Sequence, residues 1–176
     1  MADLKDVEAH RRLQRKQFRQ NIHRIWEMVK AGRRNELSDR DNDLALILME
    51  HQEYADHFEN TAILDGREYD AGSQFNPFLH ISTHQMVEDQ LAADLPPETG
   101  FFCEAMEEKG LSRHEAVHFV IMILLHLLYS SAAVGRHFDK TRYRRLLERC
   151  TGAEPSEVEG IVERDFAGED RRKDLH

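Results

Sequence analysis

Residues 112–134 read SRHEAVHFVIMILLHLLYSSAAV. Ser112 and Glu115 open the stretch as S-x-x-E, the capping box in which each side chain satisfies the other's orphan backbone N–H. Ala116–Val134 is then mostly apolar, and Gly135 is a natural stop. A bilayer span needs about 20 predominantly apolar residues with few polar ones. His118, His126, Tyr129, Ser130 and Ser131 interrupt this one. We therefore expect the buried central helix of a globular protein and no membrane span.

Outward from that helix the dominant period stays helical. Phe18, Ile22, Ile25 and Val29 fall at i, i+4, i+7 and i+11, one apolar stripe widened by Trp26. This predicts a first helix over 7–31, stopped at Gly32. A second follows, capped by Asp41 or Asn42, with Leu44, Ile47, Leu48 and His51 on one face. Residues 60–75, with Gly66, Asp70, Gly72 and Ser73, predict a loop. Asn76-Pro77 predicts a helix start, since Asn accepts from an orphan N–H and Pro has no N–H to waste. That third helix runs to Ala93, before Pro96-Pro97. A fourth covers 98–109. Beyond the central helix, Asp139 caps a sixth, with Tyr143, Leu146 and Leu147 inward. The box Ser156…Glu159 starts a short last helix, and 168–176 reads as a disordered, charged tail.

No alternating β-branched run and no hairpin signal occurs between such runs. The expected fold is all-α, a compact bundle of about six to seven helices around the central helix of residues 112–134. We expect a basic helical extension over 1–17, a single helical domain over 18–150, and a short helix with a charged tail over 151–176.

The 176 residues are 40% apolar, enough for a core without staples, and carry a net charge of -9. Residues 1–34 hold ten Lys/Arg against four Asp/Glu; residues 35–108 hold two against eighteen. Two arrangements account for this split. The basic helix lies on the chain's own acidic body, or it presents Arg11, Arg12, Arg15 and Arg19 to an acidic protein or RNA. The overall negative charge favours the first. Met1–Glu8 is polar and acidic with no apolar segment after it, so no signal peptide is expected. Cys103 and Cys150 have no CxxC spacing, which predicts reduced thiols and a cytoplasmic location. Glu104 and Glu107 beside Cys103 argue against a nucleophilic thiol.

Eleven histidines are the chemical signal. His80 and His84 are spaced H-x3-H on the third helix; His114 and His118 are spaced H-E-x-x-H at the start of the central one; His51 continues the stripe of the second. Helical residues four apart lie one above the other, about 5–6 Å between Cβ atoms, so two imidazoles can close on one ion. Val87 and Leu91 share the face of the first pair, and Ile121, Met122 and Leu125 that of His118, so both pairs are expected to face inward. His51, His80, His84, His114 and His118 are thus candidate ligands of one divalent transition metal: Zn, Fe, Mn or Ni. Glu50, Glu53, Glu88 and Asp89 are candidates for a carboxylate partner. Against this stands the plain alternative of core histidines that only donate and accept hydrogen bonds. H-E-x-x-H also marks zinc peptidases. Here Glu115 already has a capping role, and no third ligand follows at peptidase spacing.

The run Asn76-Pro77-Phe78-Leu79-His80, with His84, Asp89-Gln90, Asp94 and Pro96-Pro97, resembles the signature of the bacterial family catalogued as domain of unknown function 1841. Glu50–Tyr54 is similar to that family's H-P-E-Y segment, with Gln52 where Pro is usual. His114–His118 is similar to its H-E-A-x-H segment, and Gly135 with Asp139–Tyr143 to its Gly-x-x-x-Asp…Tyr stretch. The resemblance covers about 18–150. It implies a small cytoplasmic helical protein, singles out His51, His80, His84 and His118, and implies no activity. The chain departs from the family in its more apolar central helix, which raises the expectation of a homodimer, and in the added residues 151–176.

Overall fold

Helix α1 (Leu4–Lys30) ends where a Cβ would be strained. Gly32 takes φ +69°, its N–H bonds the Val29 carbonyl at 3.0 Å, and Arg33 N–H bonds the Met28 carbonyl at 2.9 Å. That is a Schellman stop, which satisfies two carbonyls the helix leaves open. The computed structural model describes residues 4–60 and 76–173, with side chains over 6–60 and 76–165. These residues form eight α-helices and two short 3-10 turns; no strand occurs among them. The loop expected over 60–75 lies, from 61 on, outside the described residues. Internal packing divides the chain into residues 1–82 and 83–176.

In the first unit α1 packs on α2 (Asp39–Glu50) and α3 (Ala55–Glu59). Ile22 and Ile25 are fully buried, and Trp26 meets Phe58 edge-on at 5.5 Å. Each such side chain contributes about 1.5–3 kcal/mol by leaving water. Leu44, Ile47 and Leu48 of α2 complete this core with Phe78 and Ile81. The cap of α2 is Ser38, whose hydroxyl accepts from Asp41 N–H at 3.2 Å, not Asp41 or Asn42 as expected. Asp41 instead accepts from Arg24 on α1 at 2.6 Å. That partner lies 17 residues back, so local capping rules do not reveal it.

Helix α4 (Pro77–Ala93) starts as Asn76-Pro77 predicts, with Leu79 N–H donating to Asn76 Oδ1 at 3.1 Å. Its first turns give Phe78 and Ile81 to the first core; Val87 belongs to the second.

The second unit is built on α6 (Arg113–Ala133), with α5 (Pro97–Glu108), α7 (Lys140–Thr151) and α8 (Pro155–Lys173). Val117, Val120, Ile121, Leu124 and Leu127 of α6 pack with Phe102 and Met106 of α5 and Leu146 and Leu147 of α7. By length and composition α6 could cross a membrane; here the apolar side just named is taken up by this core. Its capping box is present, and Asp139 caps α7 as expected. Gln90 of the family signature is a hub, accepting from Thr99 at 3.0 Å and Tyr143 at 2.9 Å. Helix α8 corrects two expectations. Glu157 accepts from Glu154 N–H at 3.0 Å, replacing the Ser156…Glu159 box. The helix also continues to Lys173, where a short helix and a tail from 168 are expected. Val158 and Val162 bury one stripe, and Arg142 pairs with Asp165 at 2.7 Å, so a third turn is anchored before the charged run begins.

Candidate metal centre

Of the five candidate histidines, His51 and His80 belong to the first unit and His84, His114 and His118 to the second. In the first unit His51 sits just past α2, fully buried. Its Nδ1 lies 2.7 Å from the Ile47 carbonyl. A carbonyl oxygen only accepts, so Nδ1 carries the proton and the neutral ring's Nε2 is the acceptor. His80 Nε2 lies 2.9 Å from that atom and is therefore the donor. Tyr54 stacks on His51 at 5.8 Å and meets His80 edge-on at 5.8 Å. Burial, then the neighbouring Glu53 charge, pushes the Tyr54 hydroxyl above its ordinary pKa.

In the second unit α4 supplies His84 and the first turns of α6 supply His114 and His118. The helical spacing brings the rings of His114 and His118 to 4.2 Å, and His84 lies 5.4 Å from each. One ring nitrogen from each of the three lies within 4.8 Å of the others. Nitrogens bound to one tetrahedral zinc at about 2.0–2.1 Å stand roughly 3.3 Å apart. His84 is 1% exposed, while His114 and His118 are half-buried, so the triad has one dry side and one reachable side.

The carboxylate of Glu88, one turn beyond His84, lies 3.9 Å from His84 Nδ1. Arg113 grips Glu88 with two bonds of 2.8 and 2.6 Å and fixes its direction. At 3.9 Å the carboxylate makes no hydrogen bond to the ring; it would orient a ligating imidazole only after moving within hydrogen-bond reach. Glu88 is legible as an acid one turn from His84. Arg113 is not, because 25 residues separate it from Glu88 and no local pattern links them.

Glu115, the acid of H-E-x-x-H, is committed elsewhere. Its carboxylate accepts from Ser112 N–H at 2.8 Å and from the Ser112 hydroxyl at 2.7 Å. Those bonds hold its carboxyl below the usual range, which makes it a weaker base. Both cysteines are buried, and burial pushes each thiol up to about 11. Glu107 and Glu104 add to this for Cys103, but desolvation outweighs the acids named from sequence.

His23 donates from Nδ1 to the Phe58 carbonyl at 2.8 Å, a structural bond. Residues 6–17 of α1 are exposed throughout. Among the described residues, Arg15 donates to Glu8 at 2.9 Å, and Arg11, Arg12, Arg15 and Lys16 are all exposed. Arg19 is different: it is buried with its guanidinium 5.0 Å from the Phe78 ring, a cation–π contact within the first unit.

The family described as "Domain of unknown function (DUF1841)" matches residues 14–149. The chain belongs to that family, and His51, His80, His84, His114 and His118 all fall inside the matched region. No curated protein and no solved structure matches the chain.

Proposed function

We propose that the chain binds one divalent transition metal, Zn, Fe, Mn or Ni, through His84, His114 and His118. The observation that carries this is the convergence of three ring nitrogens within 4.8 Å. Saturation by protein ligands would make the site structural, whereas an ion with one position left open is of the catalytic kind. An ion so held lowers the pKa of a bound water, which makes metal-assisted hydrolysis or redox chemistry available. The engagement of Glu115 with Ser112 speaks against the peptidase version. His51 and His80 enter the proposal as further nitrogen ligands on the sequence pattern alone.

Chelator-treated protein titrated with Zn(II), Mn(II), Fe(II) and Ni(II) tests this. We expect about one equivalent taken up, and affinity at least roughly 100-fold weaker in a His84→Ala/His118→Ala protein. Uptake that ignores the double substitution, or none by folded protein, overturns it. Weaker uptake in His51→Ala or His80→Ala adds that residue to the ligand set.

A second reading rests on the exposed basic stretch of α1. It takes Arg11, Arg12, Arg15 and Lys16 as a contact for an acidic protein or RNA. Neutralising these four is expected to abolish a salt-dependent association with polyglutamate or single-stranded RNA. Association that survives neutralisation contradicts it.

A further inference from the structure

Helix α6 is predominantly apolar on every side, yet only 44% of its most apolar stretch is buried. No charged residue occurs between Ala116 and Gly135. One side of the helix, with Val117, Val120, Leu124 and Leu127, fills the core of the second unit. At 100° per residue, Phe119, Met122, His126, Tyr129 and Ala133 share the other side. Their steps of three, four, three and four residues are those of a seam between two helices. Phe119, Met122 and His126 are half-buried; Ala133 is exposed, and so is Tyr129, at 45%. A helix apolar all round belongs in an interior, so this second side needs a partner surface.

The stripe fits a second copy of itself. Its spacing reads nearly the same from either end, and its bulk is graded, with Phe119 at one end and Ala133 at the other. Turned end for end against a second copy about His126, Phe119 falls opposite Ala133 and Met122 opposite Tyr129. Large meets small at both ends, and a methionine sulfur meets an aromatic ring, a favourable contact. Val134, 41% exposed, comes opposite His118, which lines a cleft of about 470 Å³ with Leu111, Phe119, Met122 and Pro155. A two-fold axis makes each of these matches twice. An uncharged seam offers a charged partner nothing to recognise and suits the apolar centre of a homodimer interface. A bilayer suits it less. The far side of α6 packs on α5, α7 and α8, whose outer sides carry Glu104, Arg145 and Glu159, and these charges would enter hydrocarbon with it.

We propose that the uncovered side of α6 is a homodimer interface, in which two copies of the chain pack antiparallel about a two-fold axis at His126. The interface needs no metal and is independent of the reading above. Over residues 119–133 the seam is about 22 Å long. Contacts of that small size are reversible, with a dissociation constant here of roughly 1–100 µM.

Sedimentation of the chelator-treated full chain from about 1 to 500 µM gives the test. The mass is expected to rise from 20.6 kDa towards twice that value. Ala133→Glu places a charge opposite Phe119 at an exposed position, and should weaken association at least about 100-fold with helix content unchanged. Tyr129→Glu serves if that protein does not fold. Single cysteines under mild oxidation give the direction, with the unsubstituted chain, whose cysteines are buried, as the blank. His126→Cys should link to its own copy across the axis. Ala133→Cys should not, because the two copies of that position stand about 21 Å apart, beyond the roughly 7 Å a disulfide spans. A chain that stays at 20.6 kDa throughout, association that both glutamate variants leave unchanged, or ready self-linking of Ala133→Cys overturns the proposal. So does a monomer that floats with phosphatidylcholine vesicles and loses this in Ala133→Glu, which assigns the face to a bilayer.

Discussion

Histidines of the two units are held by different partners. In the pair His51–His80, a backbone carbonyl fixes one proton, and the two rings become donor and acceptor across 2.9 Å. His51 is fully buried, where a lost hydrogen bond leaves polar atoms dry. Among His84, His114 and His118, ring nitrogens lie within 4.8 Å of one another, two of the rings are half-buried, and the Glu88 carboxylate stands 3.9 Å from the third. The first arrangement stabilises the folded chain. The second, on the reading proposed above, tolerates substitution and takes up a metal. Inward-facing histidines are thus not one class, and the element that supplies the ring's second partner separates them.

That contrast can be broken at several points. The largest expected effect is on His51. Substitution to Ala removes a buried ring and its bond to Ile47, which should cost roughly 2–4 kcal/mol of stability in urea unfolding. His118→Ala, at a half-buried position, should cost less than about 1 kcal/mol without metal. Equal losses would dissolve the distinction. Next comes Glu88→Gln, which keeps the shape and removes the charge beside His84. Metal affinity should fall by about 10- to 100-fold if the carboxylate orients the ligand. No change would leave the Arg113–Glu88 contact as a surface ion pair.

Ser112→Ala sharpens the comparison from the other side. It removes the cap of α6, at about 1 kcal/mol, and should leave metal affinity unchanged. The smallest effect concerns acid. Hydrogen bonding by Arg144 holds the Glu98 carboxyl below its ordinary value of 4.5. A depressed carboxylate contributes stability above that value and loses it as pH falls through its folded pKa. The stability lost between about pH 5 and pH 3 should therefore be smaller in Glu98→Gln, while metal binding near neutral pH stays as it was.

Much of the fold is legible because its signals are local. Asn76-Pro77, the Ser112…Glu115 box, Asp139 and Gly32 each mark a helix boundary through groups within a few residues, and the structure keeps all four. Asp41 misleads because its real partner is Arg24 on another helix. The charged end of α8 reads as a tail because its anchor, the Arg142–Asp165 pair, spans 23 residues. The site divides in the same way. Helical spacing brings out His114 with His118, but it pairs His80 with His84, whose rings the structure gives different partners. It does not reveal that His84 closes with the α6 pair, since that depends on how α4 and α6 pack. Nor does it reveal that His80 turns to His51.

The most direct measurement is elemental analysis of untagged protein purified without chelator or added metal, beside a His84→Ala/His118→Ala protein prepared in the same way. The expected result is near one Zn, Fe, Mn or Ni per chain in the first and less than about a tenth of that in the second, with both proteins folded. A chain that carries no metal and acquires none on titration, or a double variant that keeps its full complement, would contradict the central claim and leave the triad as three packed imidazoles.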